Sequence, residues 1–403
     1  MTNRIGSVFL VAGTAIGIGM LALPLTLARL GVVPSLLAMG VVWYVMYISA
    51  LMGLELNLQA KRGLPLGELG QHFSGKGARF IGNVSLMILM YSLLSAYTYA
   101  GSSLLKSLLS NTLGIEYGLS FYLLFYCSLA FVILSWKMKG IDSINRVLFT
   151  ALLIVFIVLL GSFQSKMSLT QFPLVEDTTY QLNYWYSAVP ILFTAFGFQL
   201  IFHTIYNYIG SYPRKLKSIF FFGSLLPMFV YMLWTVGVIL VIFSNAEPFY
   251  QKVIAGEGNV AELTTILAQI TEWPILKNLT WLLVNLAIAT SLIGVGLGLR
   301  DVWLNIFVKD ATKSHRKTNF FAVFLTVVPA FIIAVGFSDV FMKALSFAGM
   351  ILTVIAIYLP LFLLRKVDPK TYHYKILGSK LVQGFILLIA SIVVCCELAS
   401  LFS

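Results

Sequence analysis

Apolar stretches of about the length of a bilayer-spanning helix follow one another along almost the whole chain. A transmembrane helix needs about 20 mainly apolar residues, and by this rule the sequence predicts eleven helices with short polar connections. The predicted helices lie at residues 5–30, 33–58, 80–110, 118–136, 147–165, 184–209, 217–244, 277–304, 319–337, 341–364 and 381–402. The longest connection, 245–276, has a helical apolar pattern and is predicted to form short helices. We therefore expect residues 1–403 to form a single all-α polytopic membrane domain.

Composition supports lipid as the solvent of this chain. Hydrophobic residues make up 59% of the sequence and charged residues only 10%, with a mean hydropathy of +0.93. Soluble domains carry about 25% charged residues, so apolar side chains must cover the outside of this protein as well as its core.

The net charge of +12 is distributed in a way that predicts orientation. Of the 27 Lys and Arg residues, 21 fall on the side of the eleven predicted helices that includes the N-terminus. Because Lys and Arg accumulate in cytoplasmic loops, the N-terminus is predicted to be cytoplasmic and the C-terminus to lie outside. The positive charge is explained by topology, so nucleic-acid binding is not predicted.

Residue patterns typical of enzymes and metal sites are missing from the sequence. The three cysteines have no metal-ligand spacing, and no H-E-x-x-H, paired-aspartate or Ser/His/Asp pattern occurs. The sequence therefore predicts neither an enzyme nor a bound cofactor. A membrane-embedded enzyme or a channel is kept only as the alternative class.

The first predicted helix contains an unusual cluster of glycines. Gly13, Gly17 and Gly19 lie at mid-span, and Pro24 follows within two turns. Each glycine costs about 1 kcal/mol relative to alanine in a helix, and a bilayer tolerates unwound backbone only where it lines a cavity. The cluster predicts a locally unwound segment, with close helix packing through small residues as the alternative.

A second interruption is predicted in the sixth helix, where Gly197 lies among aromatic residues and between Thr194 and Gln199. Gly17 and Gly197 are 180 residues apart, each near the middle of the first helix of a five-helix set. Residues 1–165 and 184–364 are thus predicted to be two repeats, the second inverted because five is odd, and 381–402 an extra helix. Interrupted helices at corresponding positions of two halves indicate the midplane binding site of a transporter.

Three stretches resemble a known family: 6–24, which ends at Pro24; Phe193-Thr-Ala-Phe-Gly-Phe198; and 289–299, with Ala-Thr-Ser-Leu-Ile-Gly-Val-Gly-Leu-Gly-Leu. They are similar to the aromatic branch of the hydroxy and aromatic amino acid permeases, and most similar to its tyrosine-specific members. The resemblance implies the inverted-repeat fold of the amino acid-polyamine-organocation superfamily. It also implies import of an aromatic amino acid, L-tyrosine above all, across a bacterial cytoplasmic membrane by cation-coupled symport with alternating access. A tryptophan or broad aromatic permease is the alternative within this class.

In that fold the amino and carboxylate groups of the substrate meet unwound backbone of helices one and six. The side chain of the substrate enters a pocket between helices one, three, six and eight. A zwitterion is suited by the amide end of one half-helix and the carbonyl end of another. The candidate substrate-binding residues are Thr14, Ala15, Gly17, Gly19, Ser95, Tyr97, Phe193, Thr194, Ala195, Phe196, Gly197, Phe198 and Gln199, with Tyr91 as a further ring partner.

The coupling ion is left open between a proton and sodium. The resemblance implies proton symport through a lysine in the fifth helix, but Leu152 stands in the place of that lysine. Sodium-coupled members of the fold instead use a site between helices one and eight. The matching residues here are Gly13, Ile16, Ala287, Thr290 and Ser291, and His203 is the alternative proton carrier.

Overall fold

A computed structural model describes residues 2–17, 19–114, 116–136, 138–167, 173–270, 274–307, 316–336 and 340–400. Within these ranges every regular element is a helix, as the sequence predicts. The first part of the chain forms α1 (Thr2–Ala15), α2 (Gly19–Leu27), α3 (Val32–Ala60), α4 (Leu66–Ser74), α5 (Lys76–Leu113), α6 (Leu119–Leu134) and α7 (Met138–Phe163). The second part forms α8 (Leu182–Ala195), α9 (Phe202–Ile209), α10 (Pro213–Asn245), α11 (Glu247–Ala255), α12 (Val260–Ile270), α13 (Pro274–Phe307), α14 (Arg316–Gly336), α15 (Val340–Thr353), α16 (Leu359–Leu364) and α17 (Lys380–Ser400).

Seven stretches of helix are each long and apolar enough to cross a membrane: α3, α5, α10, α13, α14, α15 together with α16, and α17. The bent pair of α1 and α2 raises the number to eight if it counts as one span. Helix α6 and the apolar part of α7 are shorter than a typical span, and the sixth predicted helix is divided into α8 and α9. The count of eleven spans therefore stays a prediction.

The closest packing joins helices that are far apart in the sequence. Helix α1 packs along α10, α2 against α8, α13 against α5 and α7, and α15 against α5 and α8. Almost all of the buried apolar side chains form one continuous core. Two helices are broken, α1–α2 and α8–α9, and the residues at their breaks, among them Ile16 and Phe196, are buried in this core.

Hydrogen bonds define two ends of the helix bundle. At the end that includes Arg4, which we call the N-terminal end, Asn207 donates to the carbonyl of Gly63 and Tyr374 Oη donates to the carbonyl of Pro213. At the opposite end, Val32 N donates to the carbonyl of Pro173. The predicted short helices of 245–276 are α11 and α12, which lie at this opposite end.

A buried carboxylate anchors the segment between α16 and α17 at the N-terminal end. Glu55, fully buried on α3, accepts hydrogen bonds from the backbone amides of His373 and Tyr374 at 3.1 and 3.0 Å, and from Gln59 Nε2 at 2.8 Å. Burial and the nearby Glu55 raise the pKa of Tyr374, so its hydroxyl remains a neutral donor toward Pro213. These bonds tie the connecting segment to α3 and α10.

Candidate functional site

The first helix is interrupted at the predicted glycine cluster. Helix α1 ends at Ala15, α2 begins at Gly19, and the two axes differ in direction by 52°. A Cβ atom added to Gly17 would overlap Ser291 Oγ, and one added to Gly19 would lie 2.9 Å from Ala195 Cβ. Both positions therefore require glycine. The backbone at Gly17 lies too close to α13 for a side chain, and the backbone at Gly19 lies too close to the end of α8.

The sixth predicted helix is also interrupted, at its own glycine. Helix α8 ends at Ala195, a short 3₁₀ turn covers Gly197–Ile201, and α9 begins at Phe202. A Cβ atom added to Gly197 would meet only Leu352 Cδ2, at 4.0 Å. Packing does not require a glycine here, so Gly197 differs from Gly17 and Gly19.

One tyrosine hydroxyl joins the two interruptions. Tyr231 is fully buried on α10, and its hydroxyl shares its one proton between the carbonyls of Ala15 and Ala195, the second at 3.1 Å. Each carbonyl belongs to the last residue of a helix, where the helix dipole is negative. The negative ends of α1 and α8 therefore converge on one point, and their carbonyls are acceptors of the kind that an ammonium group can bind.

Sequence reasoning missed Tyr231. The only available signal was a hydroxyl-bearing side chain in an otherwise apolar stretch four residues after Pro227. Aromatic side chains are frequent in this chain, so that signal does not distinguish Tyr231 from its neighbours.

The predicted ring partners lie within the core around this point. Phe193, Phe196 and Phe198 are fully buried, and Tyr97 on α5 is 7% exposed. The Phe196 ring meets the Tyr231 ring edge to face, with centroids 5.3 Å apart. The Phe196 ring thus contacts the tyrosine that joins the two interruptions.

Several predicted polar residues use their hydroxyls on backbone carbonyls. Thr194 Oγ1 donates to the carbonyl of Leu345 at 2.8 Å, which joins α8 to α15. Thr14 Oγ1 donates to Val11 and Ser95 Oγ to Tyr91, both at 2.7 Å and both within their own helices. These hydroxyls contribute to helix geometry, and a role of these residues in substrate binding stays a prediction.

The structure does not bring Tyr91 to the interruptions. Its hydroxyl donates to the carbonyl of Leu325 on α14 at 2.6 Å and accepts a hydrogen bond from Trp303 Nε1 at 2.9 Å. Tyr91 therefore joins α5 to α13 and α14, away from the two interruptions. The side chain of Gln199 lies outside the described part of the chain.

The proposed sodium residues are only partly together. Ser291 lies against Gly17, whereas Thr290 Oγ1 donates to the carbonyls of Leu286 and Ala287 within α13, at 2.9 and 3.2 Å. A Cβ atom on Gly13 would face the Phe149 ring of α7 at 3.4 Å. Ile16 and Ala287 are buried, and their contribution would come from backbone carbonyls.

Within the described ranges, the buried carboxylates are those of Glu55 and Glu397. Leu152, in the place of the expected lysine, is fully buried on α7. His203 on α9 lies within 3.3 Å of Thr204 Oγ1. Sequence reasoning overlooked Glu397 on α17, which is 3% exposed and accepts a hydrogen bond from Ser346 on α15. A carboxyl group buried among membrane helices is a candidate carrier of a proton.

Comparison with known proteins identifies a family over nearly the full chain. The model of the tryptophan/tyrosine permease family matches residues 1–397. Tyrosine-specific transport system 1 of Haemophilus influenzae is 28% identical over 395 residues, which cover 98% of this chain and 96% of that protein. The tryptophan-specific transport protein of Pseudomonas aeruginosa is 27% identical over 367 residues, which cover 90% and 86%.

Among solved structures, the fold matches the crystal structure of MhsT in complex with L-phenylalanine. The TM-score is 0.64 at 13% sequence identity, and the match covers 99% of this chain and 98% of that one. The match shows that the two chains share a fold over nearly their full lengths.

Proposed function

This chain belongs to the tryptophan/tyrosine permease family, and from that premise we propose that it imports L-tyrosine by cation-coupled symport. It is a multi-pass membrane transporter, and its relatives named for tyrosine and tryptophan support an aromatic amino acid as the substrate. A permease for tryptophan, or for several aromatic amino acids, is the alternative. The basic N-terminal end is proposed to face the cytoplasm of a bacterial cell, in agreement with the positive-inside rule.

The observation that carries this proposal is the meeting of two helix ends at Tyr231. The carbonyls of Ala15 and Ala195 point to one hydroxyl and form an acceptor pair for an ammonium group. The amide end of α2, which starts at Gly19, is a donor for a carboxylate. This arrangement suits a zwitterion without any charged side chain, and the Phe196 ring lies beside it for an aromatic substrate.

Uptake by the purified protein in proteoliposomes tests the proposed substrate. We expect saturable accumulation of radiolabelled L-tyrosine, because the site combines zwitterion acceptors with buried rings. Competition by a tenfold excess of unlabelled L-tyrosine, L-tryptophan or L-phenylalanine ranks the alternatives, labelled L-tryptophan and L-phenylalanine are tested in the same way, and protein-free liposomes are the control. Accumulation that tryptophan suppresses more strongly than tyrosine does would favour the tryptophan permease. Absence of uptake for every aromatic amino acid would reject the proposal.

The coupling ion is identified by imposing the sodium gradient and the proton gradient separately. We propose sodium at the site that includes Thr290 and Ser291, and therefore expect uptake to fall when choline replaces sodium at fixed pH. Thr290→Ala combined with Ser291→Ala should remove that dependence. Thr280→Ala is the matched control, because Thr280 is a buried threonine of the same helix whose hydroxyl donates to Leu276 in the same way.

The opposite result identifies a proton carrier. Uptake that ignores sodium, follows an imposed proton gradient and is unchanged in the double variant would reject the sodium site. His203→Gln and Glu397→Gln then separate the two candidates for the proton, since each substitution removes one titratable group and keeps a polar side chain. The variant that abolishes gradient-driven accumulation but retains tyrosine exchange marks the carrier.

A further inference from the structure

A cleft with a volume of about 470 Å³ opens on the side of the bundle at its N-terminal end. It is lined by Tyr47 of α3 and by Arg214, Lys217, Ser218, Phe221 and Phe222 of α10. The cleft is remote from the two helix interruptions, because Tyr231 lies more than two helical turns further along α10. It is therefore not part of the proposed substrate site.

Three cations converge on the mouth of this cleft. Arg214 and Lys217 are exposed on the first turns of α10, and Arg4 of α1 reaches across to donate a hydrogen bond to Ser218. Within the described ranges, no carboxylate lines the cleft or pairs with any of these three side chains. The carboxylate of α3, Glu55, is held by its own partners in the segment before α17. The mouth thus carries a positive charge that no neighbouring acid balances.

The floor of the cleft is aromatic. The Tyr47 and Phe221 rings meet edge to face at 5.6 Å, and the Trp43 ring stacks on Tyr47 at 6.0 Å. Phe222 is 53% exposed. Because a helix rises 1.5 Å per residue, Phe222 lies about 12 Å deeper along α10 than Arg214. The cleft is therefore cationic at its outer end and aromatic about 12 Å further along α10.

We propose that this cleft binds an anionic phospholipid. The phosphate is held by Arg4, Arg214 and Lys217, and one acyl chain lies along Phe221 and Phe222. Basic pockets between transmembrane helices bind acidic lipid headgroups, and a soluble anion would leave the exposed aromatic surface below the cations uncovered. The bound lipid connects α1 to α10, and thereby holds the half-helix before the first interruption against the helix that carries Tyr231.

Lipid titration of the full-length protein tests this site. The purified protein in neutral detergent is titrated with phosphatidylglycerol or phosphatidylcholine, and binding is measured by native mass spectrometry and by the rise in Tm. Each Lys or Arg near an anionic lipid contributes roughly fivefold in affinity. Arg214→Gln with Lys217→Gln is therefore expected to weaken phosphatidylglycerol binding by roughly 25-fold and to leave phosphatidylcholine binding unchanged.

The matched control removes two charges from the same end of the bundle but outside the cleft. Lys366→Gln with Lys370→Gln should bind phosphatidylglycerol like the unmodified protein. Equal losses in the two double variants, or no preference of the unmodified protein for phosphatidylglycerol, would overturn the proposal.

Two further measurements distinguish binding of a whole phospholipid from binding of its phosphate group alone. One of them uses a variant that keeps every charge of the cleft. Phe222→Ala, which keeps every charge, should weaken phosphatidylglycerol binding several-fold, and it remains informative if the double variant fails to fold. Soluble glycerol phosphate should not compete at concentrations at which the lipid saturates the cleft. Effective competition by glycerol phosphate, with Phe222→Ala unchanged, would mean that the cleft binds a phosphate group and not a lipid.

Discussion

Replacing Tyr231 with phenylalanine is expected to lower tyrosine uptake by about fivefold or more, because the two carbonyls proposed to accept the substrate ammonium lose the donor that holds them together, and a buried carbonyl that loses its donor costs about 1–3 kcal/mol. The substitution keeps the ring, and with it the edge-to-face contact with Phe196. What it removes is the hydroxyl that donates to the carbonyls of Ala15 and Ala195. Without that donor, the negative ends of α1 and α8 lose the side chain that bridges them and holds their spacing.

The measurement is the concentration dependence of uptake together with thermal stability. We expect the KM for tyrosine to rise in Tyr231→Phe by more than its loss of Tm would explain. Tyr250→Phe is the matched control, since Tyr250 is also a buried tyrosine whose hydroxyl donates a hydrogen bond, to Glu176 at the opposite end of the bundle. If both variants lost the same Tm and kept the KM of the unmodified protein, Tyr231 would have only a structural role.

The interruption of the first helix was predictable because its cause is local. Glycine lowers the stability of a helix in any surroundings, and the first predicted helix has glycines at 13, 17 and 19. The break between Ala15 and Gly19 occurs among them. Gly197 likewise marks the end of α8. The long apolar helices were predictable for a similar reason, since a bilayer requires every backbone group to be bonded within its own helix.

The partners of the polar side chains were not predictable from the pattern. The Tyr231 hydroxyl meets a carbonyl 216 residues away in the sequence, and only the tertiary fold brings the two together. Conversely, the sequence predicts Thr14 and Ser95 to be polar groups of a binding site. In the structure their hydroxyls donate hydrogen bonds to backbone carbonyls three and four residues earlier, respectively. Serine and threonine in helices commonly do so, and a sequence does not distinguish the two outcomes.

Substitution of a glycine at the interruptions is the second change that we expect to lower tyrosine uptake strongly. At Gly17 any side chain collides with Ser291 Oγ, so a loss of transport after substitution mixes packing with binding. At Gly197 a Cβ atom meets only Leu352, at 4.0 Å. Gly197→Val is therefore the informative change, since the fold has room for its first carbon.

We expect Gly197→Val to lower tyrosine uptake by about tenfold or more, because in the proposed site this backbone lies beside the substrate and a 1.4 kcal/mol loss of binding is tenfold. Its Tm should stay close to that of the unmodified protein, and uptake at several tyrosine concentrations is the measurement. Gly17→Ala, alone and with Ser291→Ala, is the comparison. The second change removes the colliding hydroxyl and should restore the Tm that Gly17→Ala loses, while uptake stays below that of Ser291→Ala alone, the reference needed because Ser291 belongs to the proposed sodium site. Uptake that recovered in step with Tm, or a Gly197→Val variant that transported normally, would place the substrate away from these interruptions.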